Sequence, residues 1–213
     1  MRGLTRNQEC RAIDDPIANL MEIKMRNMTL AALAFAASVP AHANEFAPAM
    51  EAFLQAEISN WANDPVIVAA VKHQNEKHAG ISQAEIDALD LAWRAEVGMS
   101  DTPTITPVLN NEAAVFLRDR VMESSGTITE VFIMDSHGLN VAASDVTSDM
   151  WQGDEAKFTE TFPNGPNAYH LSEVEFDEST QSFQGQISIT LVDPDSGAVI
   201  GAITVGVNAE SLI

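Results

Sequence analysis

Asp135–Phe158, DSHGLNVAASDVTSDMWQGDEAKF, decides the fold, because it stands where the spacing of apolar residues changes from helical to sheet-like. Its first residues close a strand, since Ile128–Asp135 (ITEVFIMD) is almost continuously apolar, as a strand buried on both faces must be. Ser136-His137-Gly138 turns the chain. Leu139, Val141 and Ala143 then alternate with Asn140, Ala142 and Ser144, which predicts a hairpin. After it come a polar loop, Trp151, Gly153 and the acidic start of a short helix at Asp154 and Glu155.

Upstream, the pattern is helical. Met50, Phe53, Leu54, Ile58 and Trp61 recur at three- and four-residue steps and draw one buried stripe. Asn63-Asp64-Pro65 supplies a cap and a first-turn proline for a second helix through Val66, Ile67, Ala70 and Val71 that ends near Gly80. Ser82 and Glu85 have the spacing of a capping box for a third helix, with Ile86, Leu89, Trp93 and Val97 on one face. A fourth runs from Asn111 to about Met122. Trp61 and Trp93 lie on these stripes and read as core aromatics, and Asp90 with Arg94 reads as a helix-surface pair.

Downstream, Val174 and Phe176 alternate with Glu173, Glu175 and Asp177. The next strand places Phe183, Gly185, Ile187, Ile189 and Leu191 inward, with Gln184, Gln186, Ser188 and Thr190 outward. Asp193-Pro194-Asp195-Ser196-Gly197 is a turn, and the following AVIGAITVGVN is apolar on both faces, hence central. Helices followed by five antiparallel strands make an α+β domain.

The start of the chain reads as an address. Arg26 precedes an uncharged, small and apolar run that ends in Ala41-His42-Ala43, which predicts a signal peptide over residues 25–43 with cleavage after Ala43. That run is too short to span a bilayer. Residues 1–24 have no fold-like periodicity and point to a start set too early, the true one being Met21, Met25 or Met28. The expected mature chain, 44–213, has no cysteine, since Cys10 lies upstream. It carries 27 acids against six bases, Lys72, Lys77, Arg94, Arg118, Arg120 and Lys157. The whole chain has a formal net charge of -20, which repels nucleic acid and anionic lipid.

The order of these elements resembles that of the single Cache domain, the extracellular PAS-like sensor fold, in a stand-alone secreted form. The residues that carry the resemblance are Asn63-Asp64-Pro65-Val66, VFIMDSHGLNVAAS, SDMWQGDEAKF and DPDSGAVIGAITVGVN, so it covers essentially all of 44–213. It implies a small ligand held between the sheet and the loops and short helix that cover it. Neither a second membrane helix nor a kinase or chemotaxis output module follows in the sequence, so the expected function is periplasmic binding of a small molecule and signalling through a partner such as a membrane receptor or kinase.

Chemistry-bearing patterns are few. His73 and His78 are five apart, a spacing that does not place them on one helix face; no histidine has zinc spacing, and no phosphate-cradling or nucleophile motif occurs. No cofactor and no catalytic step are expected; a hydrolase built on Asp154 and Glu155 would lack a nucleophile. Trp151 beside Asp154 suits an amine, because the ring quadrupole and a full charge act on one cation. Trp151 and Asp154, with Asp135 and Arg94, are therefore the candidate ligand residues, and an amine or amino acid is favoured over a carboxylate. The competing reading makes Trp151 a plug over the core and the protein an accessory factor with a packed, dry interior.

Overall fold

A computed structural model describes residues 44–177 and 181–213. The expected signal peptide and the early start lie outside the described residues. The first helix forms in three pieces, α1 (Ala47–Phe53), a π-helical turn (Leu54–Ile58) and α2 (Ser59–Trp61), with Met50, Leu54 and Ile58 buried. Asp64 caps α3 (Pro65–Lys77), its carboxylate accepting the Val66 N–H at 2.9 Å. The Ser82–Glu85 capping box opens α4 (Gln83–Glu96) as the spacing requires. A short helix that the periodicity did not announce, α5 (Ile105–Leu109), precedes α6 (Glu112–Glu123), which Asn111 caps.

The sheet contains β1 (Ile128–Met134), β2 (Asn140–Ala143), β3 (Tyr169–Leu171), β4 (Glu175–Asp177), β5 (Ser182–Val192) and β6 (Val199–Asn208). Its order is β2-β1-β6-β5-β3, with β4 also paired to β5 and every pairing antiparallel. Six strands thus occupy five positions, where five strands were expected. Ser172–Val174 breaks one edge ladder into β3 and β4, and the serine hydroxyl accepts the Gln186 N–H at 2.8 Å across the gap. The central strand is β6, between β1 and β5, as its apolar composition required.

Two cores flank the sheet. On one face Val131, Ile133, Ile187, Ile203 and Val205 pack against Met50, Ile58, Ile67 and Leu117 of the helices. On the other Phe132, Met134 and Ala202 meet Trp93, Ile105, Met150 and Phe158. Here α7 (Ala156–Thr159) and the 3-10 turn Phe162–Asn164 lie over β5 and β6. Ser188 and Thr190, expected outside, are consequently buried, and Ser188 shares a hydrogen bond of 2.9 Å with Thr204. Conversely Val97 and Phe183, expected inside, are exposed. The chain ends in a 3-10 turn, Ala209–Leu212. No described helix is long and apolar enough to cross a membrane.

Candidate functional site

A cleft of about 780 Å³ opens between α3 and the segment that carries α5 and the start of α6. Its α3 wall is built from Val66, Ala70, His73, Gln74 and Lys77, the face of the helix left over when Ile67, Val68 and Val71 turn to the core. Pro107, Val108 and Glu112 form the opposite wall, and Val141 of β2 and Met150 complete the apolar lining.

Polar side chains fix these walls from behind. Asn111 accepts the Ala114 N–H at 2.9 Å, and its amide donates to the carbonyls of Pro107 at 3.0 Å and Val141 at 3.0 Å, so α5, α6 and β2 share one anchor. Glu96 of α4 accepts the N–H groups of Thr104 and Ile105 at 2.8 and 3.0 Å, supplying the N-terminal cap of α5 that no neighbouring residue provides.

Asp135 is fully buried and serves the α3 wall. Its Oδ2 accepts Gln74 Nε2 at 3.0 Å and pairs with His78 Nδ1 at 2.8 Å, while Oδ1 accepts the N–H groups of His137 and Leu139 at 2.8 and 3.1 Å. One carboxylate therefore closes the β1–β2 turn and orients two residues that line the cleft. Gly138 makes the turn possible, having φ of 81° and backbone packed so closely on Gly153 that a side chain would collide.

The other expected ligand residues lie elsewhere. Trp151 is half-buried, bridges to Leu139, and donates from Nε1 to the His137 carbonyl at 2.8 Å, which commits its one polar atom to the hairpin. Asp154 is exposed, two residues from Gln152, which is buried. Arg94 binds Asp90 at 2.8 Å and Asp149 at 3.2 Å, and Asp90 in turn accepts the N–H groups of Met150 and Trp151, both at 3.1 Å. The Asp90–Arg94 pair is thus a strut that holds the loop, and Asp90 is buried where the helix spacing alone read it as solvated. None of Trp151, Asp154, Asp135 and Arg94 lines the cleft.

What does line it was legible only in part. His73 with Lys77, and Gln74 with His78, are two adjacent i,i+4 pairs and form one broad polar face, although His73 and His78 themselves are five apart. His78 joins this face because the helix ends at Lys77, and it follows as the C-cap with φ -98° and ψ 9°. Lys77 and Glu112, on opposite walls, make no ion pair among the described residues. Lys77 stands in the last turn of α3 and Glu112 in the first turn of α6, the ends at which each charge is favoured by the helix dipole. No group of three or more metal-ligating side chains is gathered among the described residues.

Helices over one sheet face, and α4, α5 and the loop with its short helix over the other, make an α+β domain on an antiparallel sheet. No protein-family model and no curated protein sequence matches the chain. Among solved structures it is similar to the sensor domain of the Vibrio cholerae histidine kinase DctB, with a TM-score of 0.43, 12% identity and coverage of 78% of this chain and 53% of that one. It is also similar to the ligand-binding domain of the Campylobacter jejuni chemoreceptor Tlp3 in complex with L-valine, with a TM-score of 0.37, 11% identity and coverage of 78% and 64%. A third is the ligand-binding domain of the Pseudomonas aeruginosa PAO1 amino acid chemoreceptor PctC in complex with GABA, with a TM-score of 0.38, 13% identity and coverage of 69% and 60%. The chain therefore spans between about half and two thirds of the length of these structures.

Proposed function

We propose that this is a periplasmic sensor domain that binds a small amine-bearing ligand, an amino acid above all, without catalysis, and that it signals through a partner protein. The observation that carries the reading is the cleft between α3 and α5–α6. Its volume of about 780 Å³ and its apolar walls with a few convergent polar groups are those of a small-molecule site. Lys77 faces a ligand carboxylate, Glu112 its ammonium group, and Val66, Val108, Val141 and Met150 its apolar part. Asp135 contributes indirectly, by holding Gln74 and His78. The loop surface at Trp151 and Asp154 is the second reading, favoured by the exposure of Asp154 beside a half-buried indole.

A thermal-shift screen of amino acids, simple amines and simple carboxylates separates these readings. Amino acids are expected to raise Tm, and Lys77→Ala and Glu112→Gln are each expected to remove the shift while Asp154→Asn preserves it. Loss of the shift in Asp154→Asn alone would move the site to the loop. No shift with any compound, together with unchanged stability when Ala70→Leu fills the cleft, would leave the packed accessory protein as the better description. Export is part of the proposal, and N-terminal sequencing of periplasmic protein should give Asn44 as the first residue.

A further inference from the structure

Helix α4 is apolar on two opposite faces. Ile86 and Trp93 enter the core, yet Ala84, Ala88, Leu91 and Ala95 are exposed and recur in steps of four, three and four. That spacing draws a line on the side of the helix away from Trp93, where a surface helix ordinarily carries polar groups. Leu91 is 68% exposed, and Met99, just beyond the helix end, is 65% exposed. A groove of about 620 Å³ runs beside the line, with Glu85, Ala88 and Leu89 of α4 on one side and Lys77, His78, Gly80 and Ile81 on the other. The stripe is bordered by Glu85 and Asp87, and the one basic residue of α4, Arg94, is engaged by Asp90 and Asp149.

We propose that the outer face of α4 docks an amphipathic helix of another protein, one whose apolar stripe is flanked by Lys or Arg. From Ala84 to Ala95 the stripe is about 17 Å long, which matches three turns of a partner helix. Small residues at three of its four positions allow close approach of the helix axes, with Leu91 as the central knob and the groove as a seat for a larger side chain. Charge selects the occupant. A second copy of this chain would set Glu85 and Asp87 against their own kind, whereas basic flanks meet an acid on each border and leave the groove, with Lys77 in its wall, to an uncharged side chain.

The probe is a fluorescein-labelled helical peptide of about 16 residues, long enough for the stripe, with leucines in one line and lysines on both flanks. Its twin carries glutamates in place of the lysines. Anisotropy is read at about 150 mM salt, where non-specific attraction is screened beyond about 8 Å. The wild-type chain is expected to bind the lysine peptide at least about tenfold more tightly than its twin, a difference of about 1.4 kcal/mol. Leu91→Asn should weaken that binding by a similar factor, Met122→Asn on the exposed side of α6 should leave it unchanged, and Asp87→Lys should narrow the preference between the peptides. Both asparagine substitutions fall on exposed positions, so the folded state survives them. Equal binding by Leu91→Asn and Met122→Asn, or no binding of the lysine peptide, overturns the proposal. So does a wild-type dimer in sedimentation that Leu91→Asn disperses, since the occupant would then be a second copy.

Discussion

Replacing Asp135 perturbs the hairpin, α3 and the cleft wall at once. The carboxylate is fully buried and receives two side-chain and two backbone partners at 2.8 to 3.1 Å. Asp135→Ala leaves the His137 and Leu139 N–H groups, the Gln74 amide and the His78 ring without that acceptor. A buried donor left unsatisfied costs about 1–3 kcal/mol. Gln74 retains the Asn140 carbonyl at 3.1 Å, and His137 is half-buried, so water can replace part of the loss. The expected destabilisation is therefore about 3–5 kcal/mol, in the range for breaking a buried ionic hydrogen-bond cluster from one side. Asp135→Asn keeps one oxygen for the two backbone donors and turns an NH2 group toward Gln74 and His78, so it should lose less, about 1.5–3 kcal/mol, the worth of a hydrogen bond to a charged group. Urea unfolding followed by circular dichroism measures both, and a constant m value keeps the comparison valid. An Asp135→Ala protein within about 1 kcal/mol of wild type, the ordinary effect of a point substitution, would refute the anchoring role. Ligand binding should also weaken in Asp135→Asn, because Gln74 and His78 lose their support.

Ile203→Asp, in the central strand and fully buried, should abolish folding, because an unpaired buried carboxylate costs several kcal/mol against a stability of about 5–15 kcal/mol. Gln186→Asp is milder but not silent: Gln186 donates to Glu130 at 3.0 Å, and a second acid there should cost about 1 kcal/mol by the loss of that bond; equal melting temperatures for these two variants would show the strand faces wrongly assigned. Gly138→Ala should lower Tm by several degrees, since it combines a positive φ with a collision against Gly153; an unchanged Tm would mean that the turn is not held by that approach. Hydrogen bonds from Lys72, Ser196 and the Asp195 N–H hold the Asp193 carboxyl down at about 2, and the Asp193 bond raises Lys72 above its ordinary value. The Asp193 contribution is thus complete above the ordinary carboxylate range and is lost as pH falls through about 2. The Lys72 contribution is complete below its ordinary range and is lost as pH rises through its raised value. Asp193→Asn should therefore narrow the gap in Tm to wild type at low pH, and a gap that widens on acidification would contradict the pairing.

Local rules settled most of the elements. Ser82 with Glu85 fixed the start of α4, Asp64-Pro65 the start of α3, and two-faced apolarity made Val199–Asn208 the central strand, because capping and strand burial depend on residues only a few positions apart. The Asp135-Ser136-His137-Gly138 turn was legible for the same reason. Its partners were not: that Asp135 reaches Gln74 and His78, 61 and 57 positions away, depends on how α3 crosses the hairpin. The same limit explains Ser188 and Thr190, whose alternation with apolar neighbours is that of a solvent face until α7 and the Phe162 turn close over them. Trp151 and Asp154 stood out in the sequence by residue type, but which of their atoms stay open to a ligand depends on the fold around them. The indole N–H of Trp151 is spent on the His137 carbonyl. A cleft forms where α3 faces α5 and α6 over β2, and the sequence alone determines the faces of these helices but not the space between them.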